Sequence, residues 1–274
     1  MFVRGGRDRL TPVTEPDIAA PQMDDGAACE RVMAWPAGPN DGSYLSDDLA
    51  LRMLSGRDLG VLPDLSRPGY RLVKRVFDVV ASGLAIAVLF VPAVILSAAI
   101  CIKSPGAGPL YTQWRIGRVG RDGSCRPFKM FKFRSMVPHA EDMLSDLQDS
   151  NEASGPMFKI KKDPRIIPVV GNFIRRHSID ELPQLINVFI GDMSLIGPRP
   201  GLPNEVAQYD ENTMGRLVVK PGCGGPWQVS GRSDVGFERM VELDLEYVRK
   251  RSLGEDFSLI VRTLRVMLSG DGAA

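Results

Sequence analysis

Two adjacent carboxylates, Asp180 and Glu181, lie in a stretch whose neighbouring cations are arginines: Arg175 and Arg176 just upstream, and Arg199 downstream between Pro198 and Pro200. A carboxylate pair among arginines suits phosphoryl transfer. Aspartate can attack phosphorus to give an aspartyl-phosphate, a divalent metal held by carboxylates neutralises charge, and arginines hold phosphate oxygens. Asp180 is the candidate nucleophile, with Glu181 as metal ligand or acid–base partner. The prolines around Arg199 have fixed φ angles and present its guanidinium fork with little freedom. A plainer alternative makes Ser178-x-x-Glu181 a capping box and Asp180 a first-turn acid, but capping needs no arginines.

Several elements must position these groups. Leu182, Leu185, Ile186, Phe189 and Ile190 recur at helical spacing and Gly191 follows as a stop, which predicts a short helix with Pro183 in its first turn. The dyad then sits at a helix N-terminus, where the dipole favours negative charge and makes an anion site. Leu110 to Gly117 and Cys125 to Met136 read as strands of a hairpin joined through Arg118 to Gly123. Lys132 and Arg134 share one strand face with Met130, while Phe131 and Phe133 share the other. Leu202 to Met214 reads as a helix with Glu205 and Asp210 on its surface. The glycine-dense run Arg216 to Ser233 is a tight loop in which Trp227, Gln228 and Arg232 offer a stacking face and hydrogen bonds for a nucleotide or sugar, with plain packing of Trp227 an equal alternative. Phe237 to Arg251 and Asp256 to Leu268 read as amphipathic helices; most of their surface is expected in the core, and Arg249, Lys250, Arg251, Arg262 and Arg265 could rest on anionic lipid.

Arg71, Lys74 and Arg75 precede Val76 to Ile102, in which Asp78 is the only charge, and Lys103 closes the run. Ala81 to Ile102 carries no charge, and at the helical rise it reaches roughly 33 Å, enough to cross a hydrocarbon core. Two features argue against a crossing: Pro92 near the centre, and basic residues at both ends instead of one. The expectation is a helix-break-helix that enters and leaves by the same leaflet.

Composition narrows the rest. The 274 residues carry 34 Lys and Arg against 33 Asp and Glu, so net charge argues for neither nucleic acid nor an acidic partner. Cys29, Cys101, Cys125 and Cys223 form no C-x-x-C pair, which indicates neither a zinc site nor a disulfide framework. With only His139 and His177, a His-rich metal site is excluded; His177 is read as a structural or phosphate-side neighbour of the dyad. The basic run Lys159, Lys161, Lys162 and Arg165 faces head groups, nucleotide or merely solvent. Residues 1–69 are rich in Pro, Gly, Asp and Ser, lack a signal-peptide pattern and are expected to be disordered, with a short helix near Leu49 to Leu54.

Ser-Ile-Asp-Glu-Leu-Pro-Gln-Leu, Gly-Asp-Met-Ser-Leu-Ile-Gly-Pro-Arg-Pro and Trp227-Gln-Val-Ser-Gly-Arg-Ser233, in this order, resemble the bacterial sugar transferases, or monotopic phosphoglycosyl transferases. The likeness runs from about Tyr70 to Gly270. It implies transfer of a sugar-1-phosphate from a UDP-sugar to polyprenyl (undecaprenyl) phosphate with release of UMP, through an aspartyl-phosphate on Asp180 and with Mg²⁺ on Asp180 and Glu181. It also implies that Arg175, Arg199, Lys132, Arg134 and Arg115 hold phosphates and that Gln228 and Arg232 meet the substrate. The expected setting is the bacterial inner membrane, catalytic domain on the cytosolic face, at the start of exopolysaccharide or surface-glycan synthesis. Homo-oligomerisation is left open. The Trp-Gln-Val-Ser-Gly-Arg motif looks more like the hexose branch than the N-acetylated one.

Two positions depart from the family pattern: Val91 stands before Pro92 where Ser is common, and Gly224-Gly-Pro226 stands where Thr-Gly is usual. A non-catalytic membrane scaffold recruited through the N-terminal extension is the competing reading, and the intact dyad argues against it. The expected fold class is therefore α+β, a helix-rich monotopic membrane protein with a small β-hairpin and interfacial amphipathic helices. Its parts are a disordered extension (1–69), a re-entrant segment (70–103) and a catalytic domain (104–274).

Overall fold

The computed structural model describes residues 46–140, 142–143, 146–147, 160, 163–231 and 235–269. Arg232, Lys159, Lys161, Lys162 and residues 1–45 fall outside that set, as does most of the acidic stretch read as helix-permissive after Pro138. From Ser46 onward, the segment assigned to a disordered extension is structured. Helix α1 (Asp47–Leu54) is capped by the Ser46 hydroxyl, which accepts from Leu49 N–H, and buries Ala50 and Leu54 completely. Ala50 and Leu54, four residues apart, give the helix one apolar edge that the body covers, a feature too small to register in the average composition of residues 1–69.

Helix α2 (Pro68–Lys103) has 36 residues, about 54 Å of helix. It is long and apolar enough to cross a membrane, and only 6% of its most apolar window is buried. The expected break is not present: the helix runs on through Pro92. Proline removes one backbone hydrogen bond there, but packing holds the helix beyond it, where Ala93, Leu96 and Ile100 meet Phe133, Ile167 and Ile174. At the other end, Asp78 is buried and accepts from Leu195 N–H at 3.1 Å, and Phe189 lies 3.3 Å from where a Cβ on Gly83 would stand. Both ends thus pack on one body. The opposite face leaves Val73, Phe77, Val80, Leu84, Val88, Val91 and Ile95 exposed at three- and four-residue spacing.

The hairpin forms as read. Strand β1 (Leu110–Ile116) pairs antiparallel with β2 (Pro127–Phe133), Thr112 opposite Phe131, and Gly123 at φ +76° turns the connection. Met130 and Phe128 pack with Val188 and Met193 on one side of β2, while Phe133 packs on the other. Helix α3 (Val170–Arg176) leads into a 3₁₀ turn (Ile179–Glu181), then helix α4 (Gln184–Ile190) with Gly191 as its left-handed stop at φ +108°.

Strand β3 (Ser194–Ile196) runs parallel to β4 (Gly222–Gly224), and this pair explains the glycine density. A Cβ on Gly222 would lie 2.1 Å from the Gly197 nitrogen, so no side chain fits there. The expected helix over Leu202 to Met214 is broken into α5 (Pro203–Val206) and α6 (Glu211–Met214), because Asp210 caps the second by accepting from Thr213 N–H at 2.8 Å. Helices α7 (Phe237–Lys250) and α8 (Leu253–Ser269) close the chain. Val241 and Val248 are core as expected; on α8 it is Leu259 that is buried, whereas Leu264, read as core-facing, is exposed along one face with Leu253, Phe257 and Val261. Arg251, read as lipid-facing, is buried instead, donating to the Val248 carbonyl and to Asp64.

Candidate active site

Ser178 adopts the left-handed conformation (φ 53°), unusual for a residue with a Cβ, and turns the chain so that Ile179–Glu181 can wind as a single 3₁₀ turn. Its side chain makes no cap hydrogen bond, so the capping-box alternative fails. Asp180 is buried at 8% exposure, and Glu181 is partly open, with its Oε1 3.1 Å from Lys132 Nζ. Lys132 comes from β2. Asn187, fully buried on α4, fixes that strand against the helix: its Oδ1 accepts from Phe131 N–H at 3.0 Å and its Nδ2 donates to the Lys129 carbonyl at 2.8 Å. Asn187→Ala should therefore lower stability by about 2–4 kcal/mol, because two backbone groups of β2 lose their buried partner. A melting curve checks this, and an unchanged midpoint would show that the strand finds other partners.

The two carboxyls differ in acidity. Burial raises the pKa of Asp180 to about 6; the Lys132 charge opposes this, Glu181 adds to it and Arg175 opposes it. For Glu181 burial also pushes upward, but the charge and hydrogen bond of Lys132, then Arg199 and Arg115, outweigh it and hold the carboxyl below its ordinary value. Neighbouring titratable groups with separated pKa values are the usual mark of divided chemical roles. If ionised Asp180 is the reacting form, activity rises with pH through about 6 and levels above it. Glu181→Gln removes a like charge and should move that acid limb to lower pH; Lys132→Met removes an opposite charge and should move it higher. A kcat/KM profile reads both shifts, and a limb that stays in place in both variants would detach it from Asp180.

Arg199 is held from both sides of its own backbone. Its N–H donates to Asp244 Oδ2 at 3.3 Å, and its carbonyl accepts from Arg216 at 3.0 Å, while Arg216 and Asp244 form a buried pair at 2.7 Å. Its guanidinium donates to both Glu205 oxygens (3.3 and 3.0 Å) and lies 5.8 Å from the centre of the Trp227 ring. Glu205, expected on a surface, is almost completely buried: it also accepts from Leu202 N–H and faces Arg115 at 4.0 Å. The two arginines and the backbone donor offset the desolvation cost of this buried anion and hold its carboxyl below the ordinary value.

The structure thus brings together Asp180, Glu181, Lys132 and Arg175, with Arg199 and Arg115 close enough to act on Glu181. Arg115 is buried, donates to the Pro200 carbonyl at 3.0 Å, and has its pKa depressed to about 10 by burial and by Arg199. It supports the Arg199 segment from below. Arg134 is engaged away from the dyad, donating to the Gly108 carbonyl at 2.8 Å beside the Tyr111 ring. Gln228 donates to the Cys223 carbonyl at 2.8 Å and so holds the glycine loop in shape. His177 Nδ1 lies 3.0 Å from the Phe173 carbonyl at the end of α3, a structural contact.

Asn187, Glu205, Arg216 and Asp244 were not singled out from sequence as site residues. One signal was available: Asp244 shares a helical face with Val241 and Val248, and a carboxylate on a buried stripe needs a partner.

The donor set suits Mg²⁺. Two hard oxygen donors stand side by side, and among the described residues no cluster of three or more metal-ligating side chains exists. Mg²⁺ commonly takes one or two carboxylates and completes its shell with phosphate oxygens and water.

Residues 69–270 match the family described as bacterial sugar transferase. The chain is 40% identical over 219 residues to the UDP-galactose-lipid carrier transferase of Erwinia amylovora, covering 78% of this chain and 44% of that protein. It is 34% identical to the UDP-glucose:undecaprenyl-phosphate glucose-1-phosphate transferase of Escherichia coli K12, covering 89% and 53%. With the exopolysaccharide production protein ExoY of Rhizobium meliloti it shares 36% identity, covering 76% and 90%. The chain therefore spans about half the length of some relatives and nearly all of another. The matched span carries α2, the hairpin, the dyad turn and the Arg199 clamp together, and on that ground the chain belongs to the bacterial sugar transferase family.

Proposed function

We propose that this chain transfers a hexose-1-phosphate from a UDP-sugar to polyprenyl phosphate at the inner face of a bacterial cytoplasmic membrane, opening exopolysaccharide or surface-glycan synthesis. The observation that carries the reading is a buried carboxylate with raised pKa, Asp180, beside one held ionised, Glu181, among Lys132, Arg175 and Arg199 on the body that carries α2. The names of the relatives support the substrates.

In the first step an Asp180 oxygen attacks the sugar-bearing phosphorus. The bond to the bridging oxygen breaks, UMP leaves with that electron pair, and a sugar-phosphoryl aspartate remains. In the second, an oxygen of polyprenyl phosphate attacks the same phosphorus and the Asp180 carboxylate leaves unchanged. Lys132 and Arg175, whose charges act on Asp180, would hold phosphate oxygens, and the Arg199 fork would meet charge developing on the departing UMP. Mg²⁺, held by Glu181 and Asp180, would supply further neutralisation of that charge.

The test is UMP release from a panel of UDP-sugars by the full chain in detergent with undecaprenyl phosphate. UDP-glucose or UDP-galactose should give the fastest release; no release from any UDP-sugar would favour a scaffold.

We also infer that α2 lies along one leaflet with both of its ends on the same side of the membrane, since Asp78 near its start and Ile100 near its end are both buried against the same body while its outer stripe is apolar. In a background without the native cysteines, Leu72→Cys and Gly106→Cys should both resist a membrane-impermeant thiol reagent added outside spheroplasts. Labelling of either from outside would mean that the helix crosses.

A further inference from the structure

A cavity of about 220 Å³ lies where the first turns of α2 meet the start of β3, the segment before β4 and the end of α7. None of its lining residues belongs to the dyad, to Lys132, Arg175, Arg199 or Arg115. Its walls carry six cations, Arg71, Lys74, Arg75, Arg118, Lys220 and Arg251, against the carboxylates of Asp64 and Asp78.

Four of the cations are already engaged. Lys74 pairs with Asp256 at 2.9 Å, Arg251 pairs with Asp64, Arg71 donates to the Leu65 carbonyl, and Arg75 donates to the Val188 and Phe189 carbonyls at the end of α4. Arg118 and Lys220 have no ion pair or side-chain hydrogen bond among the described residues, yet both are half-buried. Arg118 is surrounded by like charge from Arg71, Arg126 and Arg121; Lys220 feels burial first, then repulsion from Arg75 and Arg118, against weaker attraction from Asp78 and Asp192. Two partly desolvated cations that repel each other across a cavity are unfavourable unless an anion joins them.

The surroundings indicate what kind of anion. Leu72, Val73, Val76 and Phe77 alternate along α2 with the lining residues Arg71, Lys74, Arg75 and Asp78, and all four apolar residues are exposed. The same turns therefore present cations to the cavity and apolar side chains to the outside, at the boundary where the charge-free part of the helix begins. That pairing suits an amphiphile with its head group on the cations and its chains along the apolar stripe.

We propose that this cavity is a second phosphate site, separate from the dyad, that takes the phosphate head group of an anionic membrane lipid between Arg118 and Lys220. Its role is to seat α2 at the membrane surface. The proposal does not depend on the transfer reaction, because no group in it reacts.

The test is native mass spectrometry of the full chain in detergent, titrated separately with phosphatidylglycerol and with undecaprenyl phosphate. The first arm reads a bulk phospholipid, the second the polyprenyl source of the same chemistry. Wild type should retain at least one lipid with saturable affinity, and Arg118→Gln/Lys220→Gln should weaken that retention ten-fold or more. Arg118→Lys/Lys220→Arg, which keeps both charges, should bind within about three-fold of wild type and guards against misfolding of the glutamine pair. Asp180→Asn should retain the lipid fully, whether or not it transfers sugar. Arg52→Gln/Arg239→Gln, two exposed cations that do not line the cavity, should not change binding. Equal loss in that control pair, or undiminished binding of both lipids by Arg118→Gln/Lys220→Gln, would overturn the site; loss on Asp180→Asn would place the lipid at the dyad instead.

Discussion

Asp180→Asn should abolish transfer, by about 10³-fold or more, and leave a protein at least as stable as wild type. The two halves of this expectation have the same physical origin. A carboxyl with a pKa of about 6 when folded, against 3.8 ordinarily, binds its proton more tightly in the native state. Its contribution to stability is complete below pH 3.8 and is lost as pH rises through 6, so at neutral pH the folded protein bears a penalty of about 1–3 kcal/mol. An amide of nearly the same volume removes that penalty but cannot act as the nucleophile.

Intact-protein mass spectrometry separates the covalent route from direct attack by the acceptor. With Mg²⁺ and UDP-sugar but no polyprenyl phosphate, wild type should gain one hexose-phosphate and release one equivalent of UMP, Glu181→Gln should do so more slowly, and Asp180→Asn should do neither. An adduct that survives Asp180→Asn would move the nucleophile elsewhere. Full turnover by wild type with no adduct and no acceptor-free UMP would favour direct transfer.

The dyad, the hairpin and the apolar helix were legible because each rests on local pattern: adjacent carboxylates, a Gly-rich turn between alternating strands, a long charge-free run. Gly191 fixed the end of α4 for the same reason. What sequence did not reveal depends on partners far apart in the chain. Glu205 looked like a surface acid on a single helix until Arg199 and Arg115 enclosed it, and Arg115 looked like a phosphate ligand until the Pro200 carbonyl took its fork. Arg134 shares a strand face with Lys132 but lies beyond the last paired residue, where Gly108 captures it. The continuity of α2 was missed because proline rules describe isolated helices, whereas here Ala93, Leu96 and Ile100 have a body to pack on.

Asp244→Ala should produce the largest loss of stability, about 3–5 kcal/mol, because it strands Arg216, only 2% exposed, without its anion and leaves the Arg199 N–H unpaired. Asp244→Asn keeps an acceptor and should lose less. A double substitution, Arg216→Met with Asp244→Leu, removes both charges and should recover most of that stability, since a matched apolar pair can replace a buried ion pair. Activity should not recover with it. In the wild type the Arg199 backbone is gripped at its N–H by Asp244 and at its carbonyl by Arg216, so the double variant frees the segment that aims the guanidinium. A displacement of about 1 Å in such a group is enough for a loss of about 10²-fold, expected here in kcat with KM for the UDP-sugar little changed. Thermal denaturation and steady-state UMP release on the four proteins measure the two effects separately. Recovery of both together would reduce the pair to packing, whereas stability restored without turnover identifies Asp244 and Arg216 as the residues that position Arg199.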